Sequence, residues 1–374
     1  MRKRFSAAQI LDAMLPLIAV IGALVIGAII LVLLEANPLE AYRVMMTGAF
    51  ANKNGLADTL VKATPLLLVG LGIVIAYRAK VVNIGAEGQL IVGALLSTYL
   101  AIELGDVLPG FVVIMICLVA GSLAGAFWAG IPGLLKARLN VNEILSTIMM
   151  NSIAIQIGFF LLRGPMIDPA EVAAGTNIPH SARTPKVTDL PRFTDIAKWL
   201  GFTESAKDLG LTGLGKELYG LLVEPTRMHI GFIFAIVMVP RYMVLSMALS
   251  GALAGLAGAV EIVGLHHRMF EPLAVSAGYG FSGIVVALFA KLHPLGAIPS
   301  SILFGGLLVG GDKMQRAIQV PQVFITTLMG MIILFVVSSE LWSRRRASRR
   351  VSTGSDGENV APPVASVSKV GAGS

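Results

Sequence analysis

Apolar residues along this chain neither alternate nor mark a single face of isolated helices. They run in ten long blocks, at residues 13–34, 56–76, 84–102, 110–134, 144–162, 229–239, 243–264, 277–291, 294–311 and 320–342. A helix needs about 20 apolar residues to cross a bilayer. Lipid supplies no partner for a free N–H or C=O, so a segment in it must satisfy its own backbone, as a helix does. The pattern predicts an all-α, polytopic membrane helix bundle of about ten spans. The block at 229–239 is the exception, because it rises only about 16 Å as a helix, roughly half of the ~30 Å hydrocarbon core. It predicts a truncated or re-entrant span.

Charge sets the orientation. Arg2, Lys3 and Arg4 precede the first block; Arg78 and Lys80, Lys136 and Arg138, Arg241, and Lys291 each follow an even-numbered one; five arginines lie between Arg344 and Arg350. Cytoplasmic connections carry the excess of Lys and Arg, so both termini are expected in the cytoplasm. The segment 163–228 is then an extracytoplasmic loop, proline-containing and balanced in charge, with an amphipathic helix expected near 195–209. A lateral helix is expected near 36–53. The transmembrane domain covers 1–343, and 344–374 reads as a basic and then disordered cytoplasmic tail.

The composition agrees. Mean hydropathy is +0.80, and charged residues make up 14% of the 374 residues, against about 25% in ordinary soluble domains. The net charge of +7 lies beside the apolar blocks without the aromatic and basic clusters that bind nucleic acid, so no nucleic-acid partner is expected. The single cysteine, Cys117, sits inside a block and reads as a small core hydrophobe.

Polar side chains inside a span are expensive and normally face a bundle interior or a solute path. Two clusters stand out. The first is Asn83, Glu87 and Gln89 in the run Asn83-Ile84-Gly85-Ala86-Glu87-Gly88-Gln89. The second is Asn142, Glu143, Thr147 and Asn151, in which Asn142 or Asn140 caps a helix and the last three repeat every four residues along one stripe. Glu261 in the seventh block is a further candidate for a substrate path or gate. His266, His267 and Arg268 lack a convergent third ligand for a metal and read as a solvated loop. Small residues at Gly121 and Gly125, at Gly251, Gly255 and Gly258, and at Gly306 and Gly310 predict close helix packing. There is no P-loop, no His-Glu-x-x-His and no Gly-x-Ser-x-Gly, so no catalytic residue and no cofactor bound by this chain are expected.

Three runs, Asn83–Gln89, Asn142-Glu143-Ile144-Leu145-Ser146-Thr147-Ile148-Met149-Met150-Asn151 and Ser250-Gly251-Ala252-Leu253-Ala254-Gly255-Leu256-Ala257-Gly258-Ala259, together with Gly278-Tyr279-Gly280-Phe281-Ser282-Gly283, resemble the permease subunits of bacterial nucleoside ABC importers of the basic-membrane-protein lipoprotein type. These belong to the wider branched-chain amino acid and simple-sugar permease family. The resemblance implies an inner-membrane transport subunit for nucleosides or related sugars. It further implies a second related permease as heterodimer partner, a cytoplasmic ATPase that binds ATP and Mg, and an extracytoplasmic lipoprotein that delivers substrate.

In one place the chain departs from that family. The cytoplasmic coupling stretch, a Gly-x-x-x-Arg-Ala-x-Gly pattern, is missing where Phe232–Val239 runs directly into Pro240–Met247. An uncoupled paralogue is therefore the alternative reading, with an ion-driven secondary transporter behind it, since such proteins also use broken helices and midplane polar residues. An intramembrane enzyme would need an acid or metal motif inside the spans, and none is visible.

Overall fold

A computed structural model of the chain describes residues 7–192 and 243–321 and scattered positions between 324 and 338. Residues Val25–Met329 form one compact unit, and Met1–Leu24 with Gly330–Ser374 form a second; both polar clusters lie in the first. The described residues contain helices and connecting segments but no β-sheet, and seven helices are long and apolar enough to cross a membrane.

In chain order the helices are α1 (Ala7–Leu33), α2 (Pro38–Phe50), α3 (Lys53–Arg78), α4 (Ala86–Leu104), α5 (Gly110–Leu139), α6 (Glu143–Arg163) and the short α7 (Pro169–Ala174). Beyond the undescribed stretch come α8 (Met243–Glu261, continuing as a π-turn over Ile262–His266), α9 (Pro272–Ser276), α10 (Tyr279–Phe289) and α11 (Pro294–Ile318). Eight of the ten expected blocks thus appear as helices. The truncated block at 229–239 and the amphipathic helix near 195–209 lie outside the described residues, and the last block is described only in part. The lateral helix is α2, started by Asn37, whose side chain accepts from Leu39 N at 3.0 Å, and by Pro38 at its first turn.

The eighth block differs from its expected form. It begins at Pro272 rather than at 277 and is broken, with Ala277 (φ 45°) and Gly278 (φ 71°) both in the left-handed region between α9 and α10. Glycine adopts that conformation freely and alanine does not, so the break is built from one permissive and one strained residue.

Burial orders the bundle. Of the most apolar window of each helix, 83% is buried in α3 but only 33% in α5 and 28% in α6. α3 is therefore the central post, while α5 and α6 present Leu123, Phe127, Ile153 and Phe160 outward. Helices in lipid gain nothing from hiding apolar surface from one another, so close packing must hold them together. The small residues provide it. A Cβ on Gly125 would stand 2.7 Å from Gly255 Cα, one on Gly258 would stand 2.8 Å from Ala94 N, and one on Gly93 would strike the Gly255 backbone. Backbones of α4, α5 and α8 therefore touch. Ser97 Oγ donates to Cys117 O at 2.9 Å and fastens α4 to α5, with Cys117 buried as expected. At the other side of the core, Gly306 and Gly310 of α11 receive Phe50 and Met45 of α2.

Residues 172–177 are exposed, as a loop after α6 should be, but the expectation of a freely solvated loop needs correction over 181–190. Ser181, Thr184, Thr188 and Leu190 are buried. Ser181 N donates to Met269 O (2.7 Å), Thr184 N to His267 O (2.8 Å) and Leu190 N to Val263 O (2.7 Å). Residues 181–190 thus form a strap across the end of α8. The physical reason is the π-turn and the non-helical stretch after it, whose carbonyls have lost their helical donors and take the strap's N–H groups instead.

Replacing Gly255 with Leu should lower the stability of the detergent-solubilised protein by more than the ~1–3 kcal/mol typical of overpacking. Gly130→Leu, whose Cβ would meet nothing within 4 Å, should leave it nearly unchanged. Thermal melts of the two variants, followed by retention of a monodisperse peak, check this.

Candidate functional site

The chain enters α4 through an extended segment, residues 81–84, and this interruption is where the first polar cluster assembles. Asn83 is fully buried. Its amide nitrogen donates to Gln89 Oε1 (3.0 Å) and Ser250 Oγ (2.8 Å), and its Oδ1 accepts from Gly85 N (2.9 Å) and Gln89 Nε2 (3.0 Å). Asn151, reaching across from α6, accepts from Gly88 N at 2.8 Å and donates to Ile84 O at 2.9 Å. Glu87 Oε2 accepts from Gly280 N at 2.8 Å and so caps the first turn of α10 just past the break. The carboxylate thereby meets the electropositive end of a half-helix, where negative charge is favoured. Thr147 packs against Gly85 and donates to the carbonyl of Glu143 at 2.6 Å.

Asn83, Glu87, Gln89, Thr147 and Asn151 are therefore brought together. Asn142 and Glu143 are not. Asn142 caps α6 by accepting from Ile144 N at 2.9 Å, while Asn140 ends α5 with φ 49°. Glu143 lies 3.1 Å from Lys136 across the same turn. Of the three residues in the stripe, Thr147 and Asn151 face inward and continue into Ala154, Gly158 and Leu162, whereas Glu143 stays at the helix end.

Glu261 lies elsewhere, at the junction of α8 and the π-turn, 2% exposed, with His266 Nε2 3.1 Å from its Oε2 but not aligned as a hydrogen bond. The solvated reading of His266 and His267 is overturned by their surroundings. His266 packs edge-on against Phe270, with ring centroids 5.0 Å apart. His267 is 8% exposed, and its Nδ1 sits 2.9 Å from Asp189 Oδ1 on the strap. Burial, reinforced by Arg183, Arg192 and His266 against the opposing pull of Asp189, holds the His267 imidazole below its ordinary pKa.

The same end of the bundle holds a cavity of about 480 Å³. Asp58 and Lys62 of α3, His266 of the π-turn, and Asp312, Lys313 and Arg316 of α11 are among its lining residues. On the orientation expected from the charge pattern, this end would face outward. Lys62 extends over the ring of fully buried Tyr279, its Nζ 5.6 Å from the centroid. Sequence reasoning missed Lys62, Tyr279 and Ser250 as site residues. For Lys62 a signal existed, since a lysine inside the second apolar block is costly unless it faces a polar interior. Tyr279 and Ser250 lie in two of the runs that carry the family resemblance, but nothing in those runs singles them out from their neighbours.

Comparison with known proteins agrees with this architecture. The chain belongs to the family described as branched-chain amino acid transport system / permease component, whose model matches residues 55–188 and 234–337. It is thus the membrane-embedded permease subunit of an ABC importer rather than an enzyme, and a multi-pass plasma-membrane protein. It is similar to the glucose ABC transporter permease protein of Haloferax volcanii, 33% identical over 88% of each chain. It also resembles the guanosine ABC transporter permease protein of Bacillus subtilis, 31% identical over 87% of this chain and 93% of that one. The nucleoside ABC transporter permease protein NupB of Lactococcus lactis is 28% identical over 86% and 90%. No solved structure matches the chain.

Asn151→Ala leaves Gly88 N and Ile84 O unpaired in a buried site, and should cost about 1–3 kcal/mol. Glu143→Gln breaks a partly exposed ion pair and should stay within about 1 kcal/mol. Unfolding of both variants in mixed micelles measures the contrast. Because the folded protein disfavours protonated His267, the strap loses stability as the pH falls below ~6.5, the ordinary histidine value. Amide exchange at Ser181, Thr184 and Leu190, corrected for intrinsic rates, should accelerate between pH 7 and pH 5.

Proposed function

We propose that this permease carries nucleosides, or sugars related to them, as one half of a heterodimer with a second permease of the same family. In this reading a cytoplasmic ATPase, which binds ATP and Mg, drives the cycle, and an extracytoplasmic lipoprotein delivers the cargo. The observation that carries the cargo assignment is the set of relatives. Permeases named for guanosine, for nucleosides and for glucose all align over most of the chain, and all of those solutes are uncharged and rich in hydroxyls. The interior suits such a cargo, because the buried polar groups between α4, α6 and α8 are mainly amides and hydroxyls.

The belt of Asn83, Glu87, Gln89, Thr147 and Asn151 serves as the inner gate of this path. Its bonds join α4 to α6, α8 and α10, so a passage opened where α6 or α10 meets α4 has to exchange protein partners for cargo or water. Asn142 and Glu143 hold the turn beside it. Glu261 lies on the path nearer the outer cavity.

Proteoliposomes holding this chain, its partner permease and their ATPase provide the test. Labelled guanosine should enter only with Mg-ATP and the binding lipoprotein, and unlabelled uridine should compete with it better than glucose. Displacement by glucose alone would replace nucleosides by sugars as the cargo. The missing coupling stretch near Val239–Pro240 favours a second reading, an uncoupled paralogue. An assembled complex that hydrolyses ATP without uptake would support it.

A further inference from the structure

We propose that the face made by α6 and the broken helix α9–α10 is the surface against which the second permease seats. The inference rests on the two-permease reading above and adds which side of this subunit meets the partner.

Two independent observations mark this face as one that lipid does not cover. The first is a pair of polar side chains at mid-span. α6 runs for 21 residues, and Ser152 and Gln156, on either side of its midpoint, are exposed and make no hydrogen bond among the described residues. An amide turned toward hydrocarbon is costly, and in membrane bundles such side chains bond across to another helix. α5 gives the contrast. Its outward residues Phe111, Met115, Val119, Leu123 and Phe127, each four apart, are all apolar, as a lipid-facing stripe should be.

The second is the break between α9 and α10. The 11 residues of α10 rise about 16 Å, half of the ~30 Å hydrocarbon core, so Ala277 and Gly278 lie near the middle of the membrane. Ala277 is exposed, as are Leu273 and Ala274 before it. Irregular backbone at that depth occurs where protein or a water-filled cavity covers it, not where lipid does. The two features are neighbours. A Cβ on Gly158 of α6 would stand 2.6 Å from Pro272 Cγ of α9, so the two helices lie side by side.

The chemistry of the face selects its occupant, which has to offer hydrogen-bond partners near the midplane. This chain's own block at 230–239 carries only apolar side chains and glycine, so no side chain in it can bond Gln156. Phe324 and Leu328 of the last block lie beside Gly27 of α1. A second permease, built on the same pattern of spans that carry amides and hydroxyls, supplies the partners that Ser152 and Gln156 lack.

The experiment places the photo-crosslinking residue p-benzoylphenylalanine at Gln156, and in a separate variant at Leu123 on the apolar stripe of α5, in membranes holding the complete transporter. Irradiation should join the chain to the second permease from position 156 and not from position 123. Lipid adducts alone from 156, a link from 156 to this chain's own residues 230–239, or a permease adduct from 123 instead overturns the surface and leaves the two-permease reading intact. A wild-type chain that retains no second permease on co-purification in mild detergent, or an adduct that holds two copies of this chain, overturns that reading and the surface with it. Should the benzoyl group keep the subunit from inserting, Gln156→Leu decides the matter. Loss of one polar contact between helices should speed dissociation of the second permease about threefold, and an unchanged rate overturns the surface.

Discussion

In hydrocarbon every interruption of a helix frees backbone groups that no solvent can satisfy, and among the described residues three interruptions are repaired by buried partners. Each has its own repair. The extended segment before α4 is held by Asn83 from within and by Asn151 from α6. The break between α9 and α10 is capped by Glu87, which takes the N–H of Gly280. The π-turn at the end of α8 gives its carbonyls to the strap at 181–190. The buried polar residues of this permease thus concentrate where regular helix stops, and broken helices lined by polar groups are also what a membrane protein uses to contact a hydrophilic solute.

These repairs reinforce the glycine-packed contact of α4 with α8 and extend it to α6 and α10. Asn83 bonds to Ser250 and so links the start of α4 to α8. Asn151 ties α4 to α6, and Glu87 ties it to α10. α4 is the shared partner in all three. The cavity is assembled differently, from charged residues of α3 and α11 and the π-turn, with Lys62 reaching over the buried Tyr279 ring and His266 beside the buried Glu261 carboxylate.

Much of the fold was legible because membrane spans announce themselves by length and apolarity, and eight blocks became helices whose ends lie within about two helical turns of their expected bounds. The polar clusters were equally visible, since Asn83, Glu87 and Asn151 interrupt apolar runs. Their partners were not, because Asn151 meets Ile84 across 67 positions and Asn83 meets Ser250 across 167. The break at Ala277–Gly278 stayed hidden because two small residues beside an apolar block look the same whether they pack helices or end one. The strap was misread for a related reason. A polar, proline-containing stretch is what a solvated loop looks like, and only the carbonyls of Val263, His267 and Met269 reveal that this one is in use. Asn142 was legible as a helix cap, but Glu143 was indistinguishable in one dimension from Thr147 and Asn151, although one turn of helix separates the helix end from a buried contact.

The contact between Gly93, Gly125 and Gly255 has a mechanical consequence. Where backbones touch with only hydrogen atoms between them, sliding one helix along another by a single residue places a side chain into space that cannot hold it. α4, α5 and α8 are therefore locked in register like the teeth of a closed ratchet. A transport cycle in this subunit has to treat them as one rigid block, and the displacement that admits or releases cargo has to come from the helices that lean against it.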